Sequence, residues 1–333
     1  MKKLECLLSY LCGAILLCTG CDPRSLDTQS RTYDVLFVLE SGGGAVRSTV
    51  AVDELSFNEM CVYIVNAEGK VVDAMSAASA SVVRNLAEGS YTAYAAVNCG
   101  LGPEDFSDSA DILSYECDLA GEAAALSMFG SNDFVVPDDT RCAIPVLRLV
   151  SKVEIRKFTT NFSLRPALAA ETFTLDSIYL INVVGETTLA ADKAPGNALW
   201  LNRRWHSPSG AESMLCDEVG SVLQPGSTYD TTHYFYCYQN SSAEDSHDEA
   251  WSPRHTRLVV ACTIGGRRTY YPVDIVNPLS GTLARNDRYV INELKVTGIG
   301  ADGPDEPLPD EESFCLSAQV MPWDRQYNVS EEF

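Results

Sequence analysis

The sequence is poor in basic residues, in histidine and in long apolar runs. Its 333 residues include 24 Lys and Arg against 46 Asp and Glu, for a net charge of −22, and only four His. A chain this acidic repels nucleic acid and anionic lipid headgroups, so we expect no nucleic-acid partner. After the signal region no apolar run approaches the roughly 20 residues of a membrane-spanning helix, and no segment has a sustained helical period.

Recognisable metal-binding and catalytic motifs are missing as well. After Cys21 no two cysteines form a CxxC pair, and no histidine belongs to a motif with a Ser or Cys nucleophile. We therefore predict no metal site, no cofactor and no enzymatic activity. Cys61 and Cys262 lie in apolar runs, where cysteine behaves as a small hydrophobic residue, and we expect both to be buried free thiols.

The start of the chain has the parts of a lipoprotein signal. Lys2 and Lys3 provide positive charge, residues 7–17 are a short apolar run, and small residues precede Cys21. We predict residues 1–20 to be the signal peptide and Cys21 the lipid-bearing residue. Ordinary signal cleavage without lipidation is the alternative.

Strand patterns, by contrast, are abundant. Segments rich in Val, Ile, Tyr, Phe and Thr alternate with Gly, Pro, Asn or Asp, and they are residues 33–40, 57–66, 70–75, 91–98, 145–158, 173–183, 257–264, 269–276, 289–299 and 314–323. Gly265 and Gly266 predict a tight hairpin turn between two of these strands. The fold class is predicted to be mainly β, built from sandwich domains, with one short helix within residues 110–125.

Two segments interrupt the strand pattern. Residues 133–141 contain a proline and consecutive acids, which predicts a domain boundary near residue 140, between domains 48–140 and 141–333. Residues 301–312 are acidic and proline-rich, which predicts an exposed, extended hinge; a calcium loop is the alternative. The tail that follows, residues 313–333, is then a strand that is free to leave its own domain.

Several of these segments resemble the fimbrillins of Bacteroidales type V pili, the FimA-type (Mfa-like) subunits of surface fimbriae. The C-terminal resemblance rests on Arg285-Asn286, Tyr289, Thr297-Gly298-Ile299-Gly300 and the late Trp323. Three further strands are similar to family strands, and they contain Tyr270-Tyr271-Pro272, Arg148-Leu149-Val150-Ser151-Lys152 and Gly89-Ser90-Tyr91.

The resemblance implies two transthyretin-like β-sandwich domains in tandem, export to the outer membrane as an acylated lipoprotein, and cleavage by an arginine-specific protease after the first strand. The matching bond here joins Arg47 and Ser48, which makes residues 21–47 a lipidated propeptide. Glycines at 42–44 predict an accessible loop before that bond. The removable strand is apolar on both faces in its middle and is expected to be buried on both; its residues are Tyr33, Val35, Leu36, Phe37, Val38 and Leu39.

Removing a buried strand leaves apolar side chains and unpaired backbone groups that another strand can cover. The tail is the expected donor, with Phe314, Leu316, Ala318 and Val320 on one face and Trp323 beyond them. A head-to-tail contact of this kind generates a filament. The sequence therefore predicts a fimbrial subunit at the cell surface whose partners are other subunits, an arginine-specific protease and host or bacterial surface ligands.

Other functions remain open at this point. An accessory or tip subunit need not donate a strand, and an anchor subunit would keep the lipid on Cys21. A surface glycan-binding lipoprotein would present Trp205 and Trp251, which lie in polar loops. Arg47 can also be an ordinary exposed arginine, and the terminal strand can stay tied to its own domain.

Overall fold

The structure is a computed structural model. It describes residues 31–41, 54, 57–78, 80–191, 193, 198–206, 211–242, 254–309 and 314–323. Within these residues the chain forms 21 strands, three short α-helices and one 3-10 helix, which confirms the prediction of a mainly β fold. None of the described helices is long and apolar enough to cross a membrane.

Seven strands of the N-terminal part form one continuous sheet. They are β1 Thr32–Ser41, β2 Met60–Asn66, β3 Val71–Ala77, β4 Ser81–Ala87, β5 Gly89–Val97, β7 Met128–Val136 and β8 Arg141–Arg148. Between β5 and β7 lie α1 Ser109–Ser114, β6 Glu116–Asp118 and the 3-10 helix Leu119–Ala123. The strand order in the sheet is β3-β2-β5-β7-β8-β1-β4.

This sheet folds over on itself to enclose a core. β7 and β8 pair only where Met128 and Phe129 face Arg148 and Leu147, so the two halves of the sheet diverge from that end. All seven strands contribute apolar side chains to one buried cluster. The layer β8-β1-β4 therefore packs against the layer β3-β2-β5-β7, with the apolar positions of each strand turned inward.

The C-terminal part contains the remaining strands. They are β9 Val150–Ile155, β10 Phe158–Thr160, β11 Phe173–Ile181, β12 Val183–Val184, β13 Glu186–Thr188, β14 Trp200–Leu201, β15 Cys216–Leu223, β16 Thr228–Tyr229, β17 His233–Tyr238, β18 Arg257–Ile264, β19 Arg267–Asp274, β20 Asp287–Val296 and β21 Phe314–Pro322, with α2 Pro166–Ala169 and α3 Glu212–Leu215. One sheet has the order β16-β10-β20-β9-β17 with β21 added on β20, and a second has the order β15-β11-β18-β19.

A large apolar cluster fills the space between these two sheets and continues to the outer face of β2. The predicted hairpin joins β18 to β19, and both of its glycines have positive φ (56° and 82°), which L-residues with side chains rarely adopt. Cys61 and Cys262 are buried free thiols in the structure, as expected. β6 pairs with β13, so the two parts of the chain also share backbone hydrogen bonds.

The change from the first set of sheets to the second falls at Leu149, whereas we expected a boundary near residue 140. β8 belongs to the N-terminal sheet and β9 to the C-terminal one, so the single strand predicted for residues 145–158 is divided. The proline and acids before β8 form a short turn that carries the chain from β7 in one layer to β8 in the other, rather than a linker between domains. There the Asp139 carboxylate accepts a hydrogen bond from the backbone N–H of Val135 at 2.8 Å.

The acidic segment after β20 also differs from the expected exposed hinge. The backbones of Ala301 and Tyr270 exchange two hydrogen bonds, of 3.0 and 2.8 Å. The buried carboxylate of Asp305 accepts hydrogen bonds from Arg254, at 2.7 Å, and from Arg257. Residues 301–309 are therefore anchored through a buried ion pair. Because guanidinium groups occupy both oxygens of Asp305, this carboxylate does not fit a calcium loop.

We expect Asp305→Asn to lower the free energy of unfolding by about 3–5 kcal/mol, because it removes the buried negative charge that Arg254 and Arg257 share. The matched control is Asp302→Asn, which removes an exposed pair with Arg267 and should cost no more than about 1 kcal/mol. Urea unfolding of both variants measures the difference. Equal effects would mean that the Asp305 cluster does not anchor the segment.

Candidate functional site

The strand predicted to be removable occupies an interior position in the N-terminal sheet. β1 pairs antiparallel with β4, from Thr32 opposite Ala87 to Val38 opposite Ser81. Its other edge pairs parallel with β8, from Leu36 opposite Arg141 onward. The removal of β1 would therefore leave unpaired backbone groups on two strands at once.

Side chains on one face of β1 reach the core. Val35 and Phe37 are 0% and 1% exposed, and the Phe37 ring packs edge-on against Phe134 at 5.3 Å between centroids. Tyr33 and Leu39 are half-buried on the same face. These four side chains fill sockets that removal of β1 would empty.

The opposite face of β1 is more open than the sequence indicated. Leu36 is 37% exposed and Val38 is half-buried, whereas we expected both faces to be covered. The layer β8-β1-β4 is the outer layer here, so only its inner face meets the core. Polar side-chain contacts of β1 are at its start, where Tyr33 Oη donates to Glu88 at 2.9 Å and Asn85 donates to Asp34 at 3.0 Å.

Cys21, Arg47 and Ser48 lie outside the described residues. The chain is nevertheless described on both sides of the predicted cleavage bond, in β1 and at Glu54. The Glu54 carboxylate accepts hydrogen bonds from Lys152 Nζ and Tyr236 Oη, both at 2.6 Å. The predicted cleavage bond thus lies in the segment that connects a core strand of one part of the chain to a buried ion pair on the other.

The charge on the buried Lys152 side chain depends strongly on the Glu54 carboxylate beside it. Burial lowers the pKa of Lys152, and the neighbouring Glu54 carboxylate partly offsets that effect. Burial and the same carboxylate raise the pKa of Tyr236, so this tyrosine remains a hydrogen-bond donor. Loss of Glu54 from its place would leave a buried lysine without a counter-ion.

The predicted donor strand lies at the edge of a C-terminal sheet. β21 pairs antiparallel with β20, from Phe314 opposite Val296 to Pro322 opposite Asp287, and its other edge pairs with no described strand. Leu316 is 43% exposed and Ala318 is exposed, while Phe314 and Val320 are half-buried. In this position these four side chains bury only part of their apolar surface.

An open cavity of about 580 Å³ lies beside β21. It is lined by Phe314 and Leu316 of the strand, by Pro307 and Leu308 of the preceding segment, and by Val273 of β19. Near its start β21 therefore borders an open, partly apolar cleft on this side.

Trp323 fixes the far end of β21. Its backbone N–H donates to Asn286 at 3.0 Å, its ring stacks on Tyr236 at 5.9 Å, and the Arg148 guanidinium lies 4.6 Å from the ring centroid. We call Glu54, Arg148, Lys152, Tyr236 and Trp323 the junction cluster. Trp323, the last residue of the predicted donor strand, and Glu54, which follows the predicted cleavage bond by a few residues, meet in this cluster.

The sequence did not predict the junction cluster, because its members are far apart in the chain and Glu54 belongs to no motif. Of the two tryptophans proposed as a glycan platform, Trp205 is 60% exposed and Trp251 lies outside the described residues. A single exposed ring is weak support for sugar binding, since isolated exposed apolar side chains are common.

Comparison with solved structures identifies the fold. A fimbrilin (FimA) from Porphyromonas gingivalis W83 is similar over 87% of this chain and 97% of its own, with a TM-score of 0.63 and 14% identity. A candidate cell adhesion protein from Bacteroides eggerthii DSM 20697 matches over 88% and 97%, with a TM-score of 0.60 and 14% identity. The tip fimbrial protein Mfa3 from P. gingivalis, with a C-terminal truncation, matches over 87% and 100%, with a TM-score of 0.54 and 14% identity.

No family model and no curated protein matches the chain. The structural likeness nevertheless extends over nearly the whole length of both partners. The chain therefore has the fold of Bacteroidales fimbrillins and of related candidate adhesion proteins, as the sequence motifs indicated. At this level of identity the likeness establishes the fold, and the function has to be argued from the strands themselves.

We expect Phe37→Ala to lower the free energy of unfolding of the uncut chain by about 3–5 kcal/mol, because it empties a filled socket in the core. Leu36→Ala, one position along the same strand, should cost about 1 kcal/mol or less because that side chain is partly exposed. Urea unfolding measures both. A cost for Leu36→Ala as large as that for Phe37→Ala would show that both faces of β1 are buried.

Proposed function

We propose that this protein is a structural subunit of a surface fimbria that polymerises by donor-strand exchange. A subunit loses β1 through cleavage after Arg47 and receives in its place β21 of a neighbouring subunit. The observation that carries the proposal is the contrast between the two strands. One is interior and fills a core, and the other is a loosely packed edge strand of nearly the same length, nine residues against ten.

The acceptor side follows from the pairing of β1. Its loss would unpair the facing edges of β4 and β8 and expose the sockets of Val35 and Phe37. Burial of one such side chain contributes roughly 1.5–3 kcal/mol, and unpaired backbone groups in a water-excluded groove add to the cost of leaving it open. The empty groove therefore favours any strand that restores both ladders and fills the sockets.

The donor side follows from the exposure of β21. In its own subunit β21 is hydrogen-bonded to one neighbouring strand, β20, and Leu316 and Ala318 remain exposed. In the groove it would have a neighbour on each edge and would bury alternate side chains in place of those of β1. Strand addition of this kind supplies affinity through the backbone and specificity through the pockets. Because donor and acceptor lie in different parts of the chain, the contact propagates into a filament.

The propeptide fits the same sequence of events. The chain is exported as a lipoprotein acylated at Cys21, and the lipid holds the uncut precursor at the outer membrane. An arginine-specific protease then cuts between Arg47 and Ser48, which releases the lipid together with β1. The partners are other fimbrial subunits, and the assembled fimbria supports adhesion to host or bacterial surfaces. The presence of β21 favours a polymerising subunit over a tip subunit, which need not donate a strand.

The proposal predicts that Leu316→Asp blocks polymerisation of the cut protein while leaving the uncut monomer nearly as stable as wild type. In its own subunit the aspartate remains partly solvated. In the β1 groove of the next subunit it would enter an apolar socket, where an unpaired charge is strongly disfavoured. Purified protein is treated with an arginine-specific protease, and polymers are counted by sedimentation and electron microscopy.

The matched control is Ser317→Asp, which places the same charge on the opposite, exposed face of β21. It should polymerise as wild type does. If Leu316→Asp polymerises normally, β21 is not the donor strand. If both variants fail, charge in the tail and not socket filling controls assembly.

A further inference from the structure

A separate group of polar side chains lies on the sheet β15-β11-β18-β19, on the face opposite the main core. His206, Cys216 and Glu218 each offer one donor atom, and these three atoms lie within 4.8 Å of one another. Neither β1 nor β21 contributes to the group. Its properties are therefore independent of strand exchange.

The fold assembles this group from a strand and a loop. Cys216 and Glu218 are two residues apart on β15 and share one face, opposite Tyr179 and Ser177 of β11. His206 follows β14, and its ring contacts Tyr179 in a tilted arrangement, with 5.0 Å between centroids. No sequence motif predicts that these three residues are neighbours, because the path of the loop brings the histidine to β15.

The spacing of the donor atoms is close to that of a metal site. Cys216 Sγ lies 3.7 Å from Glu218 Oε1. In a tetrahedral zinc site, with bonds of about 2.3 Å to sulfur and about 2.1 Å to oxygen or nitrogen, adjacent ligand atoms are roughly 3.6 Å apart. The remaining separations, which are no longer than 4.8 Å, need to shorten by up to roughly 1.2 Å, which rotamer changes of the exposed Glu218 and the half-buried His206 can provide.

We propose that His206, Cys216 and Glu218 bind a divalent transition-metal ion and that Zn²⁺ fits them best. A thiolate, an imidazole and a carboxylate are ordinary zinc ligands, whereas Ca²⁺ and Mg²⁺ require oxygen atoms throughout. With three protein ligands, the fourth position is held by water.

The surroundings of His206 support a bound ion. Asn202 is 3% exposed, and its Oδ1 accepts no hydrogen bond from any described residue. Its Nδ2 lies 3.5 Å from Nδ1 of His206, the long limit of a hydrogen bond. With the ion on Nε2 of His206, Nδ1 would carry the proton and would donate to the Asn202 amide oxygen once that amide group is turned over.

Metal binding would fasten the loop that carries His206 to the edge strand β15. Zn²⁺ should therefore raise the Tm of the wild-type chain, because the ion binds the folded arrangement and not the unfolded chain. The ion has no part in the proposed cleavage or strand exchange. Failure of one proposal consequently leaves the other untouched.

The test is titration of the purified chain with Co²⁺, followed by displacement with Zn²⁺. Wild type should bind one equivalent and show a thiolate-to-cobalt charge-transfer band together with the visible bands of a tetrahedral ion. Cys216→Ser should abolish the charge-transfer band, and His206→Gln and Glu218→Gln should each weaken Zn²⁺ binding at least about tenfold. Circular dichroism of each variant confirms that it is folded.

Cys315→Ser is the control, because it removes an exposed thiol on β21 and should leave the spectrum unchanged. The proposal is overturned if wild type gives no charge-transfer band, or if the band survives in Cys216→Ser. It is also overturned if Zn²⁺ raises the Tm of folded Cys216→Ser as much as that of wild type.

Discussion

The N-terminal sandwich depends on one strand that lies between two others. β1 closes the layer β8-β1-β4, with a parallel ladder on one edge and an antiparallel ladder on the other, and it places Val35 and Phe37 in the core. An edge strand could leave at the cost of a single ladder. An interior strand loses two ladders when it leaves. Its loss would leave a groove whose backbone and apolar groups are satisfied only when another strand fills it.

The C-terminal part contains a strand that, unlike β1, has a neighbour on one edge alone among the described strands. β21 lies on an edge and keeps much of its apolar surface exposed, yet it ends in the junction cluster beside Tyr236. The preceding segment is fixed through Asp305, so movement of the strand would begin after this anchor and need not unfold the parent sandwich. Glu54 is bound to Lys152 in the same cluster, close to the point where β21 ends.

The sequence alone was sufficient to predict features that depend on local residue patterns. It predicted the β class, the hairpin at Gly265 and the strands that became β1 and β21. It was insufficient wherever a distant partner decides the outcome. Asp139 stabilises a turn between β7 and β8 and does not mark a domain boundary, and Asp305 is buried because Arg254 and Arg257 lie opposite it. The exposure of Leu36 depends on which layer is outermost, and the group at His206 depends on the path of a loop.

Hydrogen exchange of the backbone amides in β4 and β8 tests strand replacement most directly, because these amides report whether the groove is filled. Peptides that cover residues 81–87 and 141–146 are compared in the uncut Arg47→Ala chain, in the freshly cut monomer and in the polymer. Donor-strand exchange predicts protection in the uncut chain, its loss on cutting and its return in the polymer. Protection that persists in the cut monomer, or fails to return in the polymer, would contradict it.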